Sequence, residues 1–243
     1  MTKQTKPLNV LIVEDSQNDA LLLVEELRSA GYEPAYKRVE TFEQMQAALA
    51  EKPWDIILSD SSMPRFSAPA ALKTLKESGL DIPVIIISGT VGEATAVECL
   101  RAGANDFMLK GHLLRLIPAV DRELRESTER KSRLKAESHL EESEDRFRNM
   151  ADAASVMIWT MDVNGQITYV NRKFAETAGK PLKLTALRDW RAILHPEDLE
   201  AFVDIMTQSL HLKEGFSVEH RIKDRGEDYV WLFTTTAPRF SRD

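Results

Sequence analysis

Three short aliphatic runs, LNVLIV (8–13), DIILSD (55–60) and IPVIIIS (82–88), limit most strongly what this chain can fold into. A strand with one wet face alternates apolar and polar residues. A run without that alternation is buried on both faces, as in a parallel sheet covered by helices. Amphipathic stretches separate the runs: NDALLLVEELRSAG (18–31), FEQMQAALAE (42–51), APAALKTLKESG (68–79) and GEATAVECLRAGA (92–104). Two weaker strands, EPAYKRV (33–39) and NDFMLK (105–110), complete a strand–helix alternation. Right-handed crossovers then predict a doubly wound, flavodoxin-like α/β domain with five parallel strands in the order 2-1-3-4-5.

In such folds the functional site lies outside the carboxyl ends of the strands. The first strand ends in Glu14-Asp15, the third in Asp60, the fourth in Ser88-Gly89-Thr90 and the fifth in Lys110. With that strand order the ends form one cluster of three carboxylates, a hydroxyl and an ammonium. Carboxylates at a core edge are costly unless paired or metal-bound. A divalent cation with oxygen ligands relieves them, and Mg²⁺ suits the case because it needs few carboxylates and accepts a phosphate oxygen. One carboxylate can then act as a nucleophile toward phosphorus. Lys110 can neutralise phosphoryl oxygens and Ser88 can hydrogen-bond one.

Residues 8 to about 120 resemble the receiver domain of bacterial response regulators. The resemblance rests on Glu14-Asp15, on Asp60 with Met63-Pro64 behind it, on Ser88, and on Gly103-Ala104-Asn105-Asp106-Phe107 leading to Lys110. It implies that Asp60 is the phosphoacceptor. It implies that Glu14, Asp15, Asp60 and the Ser62 backbone carbonyl hold Mg²⁺, and that Ser88 and Phe107 form a switch pair. Ser62, Gly89 and Thr90 stand where phosphoryl lifetime is tuned. Gly89 replaces the family's usual alanine, which predicts a wider approach and altered dephosphorylation. Gly111 replaces the proline that follows the lysine. A cis bond before a non-proline residue costs about 3–4 kcal/mol, so a trans bond is expected there.

A charged segment follows, good helix by propensity. Leu113, Ile117, Val120, Leu124, Lys131 and Leu134 fall on heptad-like spacing, with Ser127 between. Ala136, Leu140, Ser143, Phe147 and Met150 continue it in a shifted register. This pattern predicts a parallel coiled-coil dimer, with a solvated connector helix as the alternative. Beyond it, VMIWTMD and QITYVN flank an Asn164-Gly165 turn, HPEDLEAFVDIMTQSL opens as a helix, and two strands flank Asp224-Arg225-Gly226-Glu227. This α+β antiparallel region resembles a PAS domain through Ala154–Asn171, the His195-Pro196-Glu197-Asp198 turn, and the closing strands with Trp231 and Pro238. PAS domains bind partners and sometimes ligands; the sequence does not name a ligand. The family's sheet ends in a central fifth strand, which these residues are expected to lack. The expected organisation is a tail (1–7), a receiver (8–118), a helical linker (119–149) and the PAS-like region (150–243).

The net charge of −7 argues against nonspecific binding to nucleic acid or anionic membranes. A single cysteine, Cys99, excludes an intrachain disulfide and fits a reducing compartment. No run has the length of a membrane span, and MTKQTKPLNV has no apolar signal core. The chain therefore reads as cytoplasmic, with no membrane partner. Cys99 is expected on the apolar face of its helix beside Val97 and Leu100. Trp54, Trp159, Trp190 and Trp231 are expected in cores. His195 reads as part of a helix start and His139 as a solvated helix position.

The resemblance implies two-component signal transduction. A histidine kinase or phosphotransfer protein donates the phosphoryl group in a phosphorelay, and a homodimer through receiver and linker helix passes the change to the PAS module. Phosphorylation of Asp60 is self-modification rather than turnover, so the chain is not expected to be an enzyme. One alternative is a PAS ligand sensor with the receiver as a phosphorylation-independent dimerisation scaffold. Another is the N-terminal part of a larger sensor histidine kinase or cyclic-dinucleotide enzyme, although nothing in these residues supplies such chemistry.

Overall fold

The computed structural model describes residues 5–64, 66–89, 93–178 and 193–240. The chain divides into two compact units, Met1–Glu137 and Ser138–Asp243. The first contains strands β1 (Lys6–Val13), β2 (Tyr32–Val39), β3 (Ile56–Asp60), β4 (Val84–Ser88) and β5 (Asp106–Leu109). Helices α1 (Gln17–Ser29), α2 (Phe42–Glu51), α3 (Ala68–Ser78) and α4 (Glu93–Ala102) lie between them. All strand pairs in this sheet are parallel and the order is β2-β1-β3-β4-β5.

The aliphatic strands divide between two cores because successive side chains point to opposite faces. Leu11, Val13, Ile57 and Ile86 join one core with Met45, Trp54, Leu72 and Cys99. Val10, Ile12, Ile56, Leu58, Ile85 and Ile87 join the other with Leu23, Leu27, Leu116 and Val120. The register then brings the carboxyl ends level: Val13 lies opposite Ser59, Asp60 opposite Ile87, and Ser88 opposite Leu109. Local signals set the helix limits. Ser16 and Thr41 cap α1 and α2 by accepting the Asp19 and Gln44 amides. Gly79 ends α3 in the left-handed conformation, φ 71°, which disfavours a side chain.

Cys99 is buried, but Val97 and Leu100 are exposed. At about 100° per residue, a helix that points Cys99 inward turns both of the others away. Every described peptide bond is trans, Lys110–Gly111 included.

A 3₁₀ turn (Lys110–Arg115) leads into α5 (Leu116–Ala153), a helix of 38 residues. Here the heptad reading requires correction. Val120 is buried in the second core, with Leu113, Ile117 and Leu124 packed against it. The first seam therefore serves the chain's own sheet and is closed to a partner helix. Buried polar groups fix this stretch. The Asn105 side-chain amide donates to the buried Glu123 carboxylate at 2.9 Å, and its oxygen accepts the Val84 amide at 2.9 Å. Arg130 pairs with Asp81 at 3.1 Å. Residues 131–150 are all exposed, and Leu134, Leu140, Phe147 and Met150 are their large apolar members.

The second unit contains β6 (Trp159–Met161), β7 (Ile167–Val170), α6 (Arg172–Ala178), α7 (Pro196–Leu212), β8 (Ser217–Lys223) and β9 (Tyr229–Thr235). β6–β7 and β8–β9 are separate two-stranded antiparallel sheets. Gly165 (φ 78°) turns the first hairpin, and Asp224 accepts the Gly226 and Asp228 amides in the second. The core joins Phe174, Ile193, Leu194, Phe202, Met206 and Ile222, with Trp159, Val230 and Leu232 packed against it. Asn171 is fully buried and makes four side-chain hydrogen bonds. Its amide donates to the Ala151 and Val156 carbonyls, and its oxygen accepts the Ile158 and Phe174 amides. It thereby ties the end of α5 to the start of α6. The side chain of His195 caps α7, and His139 is solvated.

Trp54 is buried and Trp159 half-buried, whereas Trp231 is 66% exposed, contrary to expectation. Alternation along β9 turns Val230 and Leu232 inward, which sends Tyr229, Trp231 and Phe233 outward. The Arg221 guanidinium stands over the Trp231 ring at 5.0 Å. Trp190 lies outside the described residues.

His220 of β8 is 1% exposed, its ring tilted against that of Phe202, and its Nδ1 has no hydrogen-bond partner among the described residues. Burial depresses its pKa below 6.5, outweighing the opposing Val218 carbonyl and Asp198 charge. A base with a depressed folded pKa takes up its proton first in the unfolded chain. Its contribution to stability is intact above about 6.5 and declines as pH falls through that value toward the folded pKa. Amide exchange protection in α7 and β8, corrected for intrinsic rates, is expected to drop between about pH 7.5 and 5.5. The drop should be largely abolished in His220→Phe; an equal drop in that variant would contradict the assignment.

Candidate functional site

The carboxyl edge of the parallel sheet brings Glu14, Asp15, Asp60, Ser88 and Lys110 together, because four strand ends finish level there. Lys110 opens the 3₁₀ turn and reaches back over the edge. Its Nζ donates to Asp60 Oδ2 at 2.8 Å, to Glu14 Oε2 at 2.9 Å, and to the Asp19 carboxylate. Glu14 is 1% exposed, and its other oxygen accepts the Ser16 amide at 3.0 Å. Asp60 is also buried, and its Oδ1 accepts the Ser62 amide at 3.0 Å. Asp15 is exposed and has no ion-pair partner among the described residues.

These environments set the protonation balance. Burial raises the Glu14 pKa, aided by the Asp60 charge and opposed by Lys110 and the Ser16 amide. Burial disfavours the charged form of Lys110, yet the three carboxylates outweigh it and raise its pKa. The Asp19 carboxyl is held below its usual range, chiefly by its hydrogen bond from Lys110. Among the described residues one ammonium thus pairs with Glu14, Asp19 and Asp60, and none with Asp15.

Carboxylate oxygens of Glu14, Asp15 and Asp60 all lie within 4.8 Å of one another. This all-oxygen donor set fits a small hard cation such as Mg²⁺. Ser62 is exposed beside it. Ser88 is buried, and its Oγ accepts a hydrogen bond from Ser61 Oγ at 2.8 Å. A Cβ added at Gly89 would meet nothing within 4 Å, so the approach there is open. Phe107 lies opposite Ile86 and packs, partly buried, against the first core. Thr90 lies outside the described residues.

Sequence reasoning missed two members of this cluster. Asp19 follows Asp15 by one helical turn, so the first turn of α1 brings its carboxylate back over the strand end. That four-residue spacing was the available signal. Ser61 was hidden in the Ser61-Ser62 pair, and only the strand register brings it beside Ser88.

Fold and edge chemistry together define an α/β signalling domain of the doubly wound class. The chain belongs to the response regulator receiver family: the model of the response regulator receiver domain matches residues 10–120, and that of the PAS fold matches residues 167–243. Both are regulatory modules, and the receiver is the hallmark of a two-component response regulator. Chemotaxis protein CheY of Thermotoga maritima is 31% identical over 101 residues, covering 42% of this chain and 83% of CheY. Uncharacterized protein y4lL of Sinorhizobium fredii is 38% identical over 104 residues, covering 43% of this chain and 13% of that protein. The transcriptional regulatory protein ZraR of Salmonella typhimurium is 32% identical over 105 residues, 42% of this chain and 23% of ZraR. The chain thus spans less than a quarter of the length of y4lL or ZraR. Among solved structures, NtrX of Brucella abortus aligns with a TM-score of 0.49 at 26% identity, over 54% of this chain and 29% of that one. No helix among the described residues is long and apolar enough to cross a membrane.

Two carboxylates about 5 Å apart near a protein surface repel by roughly 1–3 kcal/mol, depending on how far water screens them. Among the described residues Asp15 lacks a cation of its own, so Asp15→Asn is expected to raise metal-free stability by about 1 kcal/mol. Thermal denaturation in EDTA and in Mg²⁺ checks this. Mg²⁺ should raise the midpoint of the wild type and much less that of the variant. A destabilised variant in EDTA would contradict the repulsion argument.

Proposed function

We propose that this chain is a phosphorylation-controlled response regulator in which Asp60 accepts a phosphoryl group from a histidine kinase or phosphotransfer protein. The observation that carries the reading is the Lys110 ammonium within 2.9 Å of both Asp60 and Glu14 on one level sheet edge. An Asp60 oxygen forms the new bond to phosphorus while the donor's leaving atom departs with its electron pair. Glu14, Asp15, Asp60 and the Ser62 carbonyl would hold Mg²⁺. The ion supplies positive charge that offsets the carboxylates and the phosphoryl oxygens. Lys110 exchanges a carboxylate for a phosphoryl oxygen, Ser88 donates its hydroxyl, and Phe107 repacks in response. Ser62 and Gly89 border the approach; these two and Thr90 are the positions assigned to tuning of phosphoryl lifetime.

The receiver in this reading occupies 8–118, the linker 119–149 and the PAS-like region 150–243. Output passes along α5. A homodimer would use the receiver and the exposed stretch with Leu134, Leu140, Phe147 and Met150, the seam residues that α5 does not bury in its own sheet.

Intact-protein mass after incubation with Mg²⁺ and acetyl phosphate tests the reading. The wild type is expected to gain one phosphoryl group and Asp60→Asn none. Lys110→Ala should slow the gain by about 10²-fold, the usual loss for one preorganised donor at a charged centre. Equal labelling of wild type and Asp60→Asn would sink the proposal.

A further inference from the structure

The acidic edge carries a pair of hydroxyls for which the phosphoacceptor chemistry supplies only one role. Ser61 follows Asp60, and its amide donates to the Ile87 carbonyl of β4 at 3.2 Å. Its hydroxyl donates to Ser88 Oγ at 2.8 Å, and Ser62 Oγ stands 3.1 Å from it on the other side. Ser61 and Ser88 are both buried. Buried hydroxyls are held in place by their hydrogen bonds, since an unmade one is costly.

The strand register shows what this bond opposes. Asp60 lies opposite Ile87, so the residues that follow them, Ser61 and Ser88, continue side by side. Side chains of neighbouring strands in register share a face, and the next residue takes the other face. Ser88 therefore projects with Ile86 and Ser61, on the face opposite to that of Ile87 and Asp60. To meet a phosphoryl group on Asp60, its hydroxyl must swing over the strand end.

We propose that Ser61 is a positioning residue that holds the Ser88 hydroxyl in its resting place, so that phosphorylation at Asp60 must break the Ser61–Ser88 bond. The inference rests on Asp60 being the phosphoacceptor. A bond present in one state and absent in the other biases the equilibrium by its own net strength. For a neutral hydroxyl pair that is about a fivefold effect.

The test is titration of the full chain with beryllofluoride, a phosphoryl mimic, in Mg²⁺, followed by amide NMR signals. Wild type, Ser61→Ala, Ser61→Thr, Ser88→Ala and the Ser61→Ala/Ser88→Ala double variant are compared. Ser61→Ala is expected to bind about fivefold more tightly than wild type. Ser61→Thr keeps the hydroxyl and should stay near wild type. The gain should vanish in the Ser88→Ala background, which a general structural effect of Ser61→Ala would not do. Binding to wild type with Ser61→Ala unchanged or weaker overturns the inference alone, as does a gain that persists without the Ser88 hydroxyl. Failure of the wild type to bind overturns the phosphoacceptor reading and this inference with it.

Discussion

Repulsion among carboxylates gathered at one sheet edge is the constraint on which the rest of this structure depends. Glu14 and Asp60 are both buried, and Asp15 stands beside them. In water such a group would spread apart; the level ends of β1 and β3 forbid it. Among the described residues a single ammonium, Lys110, spans Glu14, Asp19 and Asp60. It leaves excess negative charge among the described residues, which would favour a divalent cation. The resting site is thus held short of neutrality, so that charge arriving from outside has something to act on.

The aliphatic strands make that arrangement possible. Burial on both faces leaves β1, β3 and β4 little freedom to slip, because a shift of one residue would exchange the two cores. Register precision becomes site precision for Glu14, Asp60, Ser88 and Lys110, each of which occupies a strand end or the position after it. The same register sets Ser61 beside Ser88 and turns both away from the Asp60 face. The sheet therefore decides which hydroxyls can reach one another, as well as which carboxylates must repel.

The long helix lives in two environments. Its first turns are fixed by Leu116, Val120 and the Asn105–Glu123 hydrogen bond, and residues 131–150 are exposed, with the Phe147 ring against Tyr169. At its far end Asn171 grips the Ala151 carbonyl and so anchors the helix to the second unit.

Much of this was legible in the sequence. Uninterrupted aliphatic runs specified a parallel sheet, because no other soluble arrangement buries both faces of so many short strands. Polar residues at the ends of those runs named Glu14, Asp15, Asp60, Ser88 and Lys110 as one cluster. Periodicity misled where it could not tell a neighbouring helix from the chain's own sheet. The Leu113–Leu124 seam satisfies both patterns, and only tertiary packing chose the sheet. Trp231 shows the same limit: hydrophobicity suggested a core, and strand alternation turned the ring outward. Asp19 and Ser61 became part of the site through helix phase and strand register, three-dimensional relations that residue identity does not encode. Composition and pattern determined the fold class and the chemistry at its edge. Tertiary structure decided which side chains share that edge, because contact depends on register and phase between segments far apart in the chain.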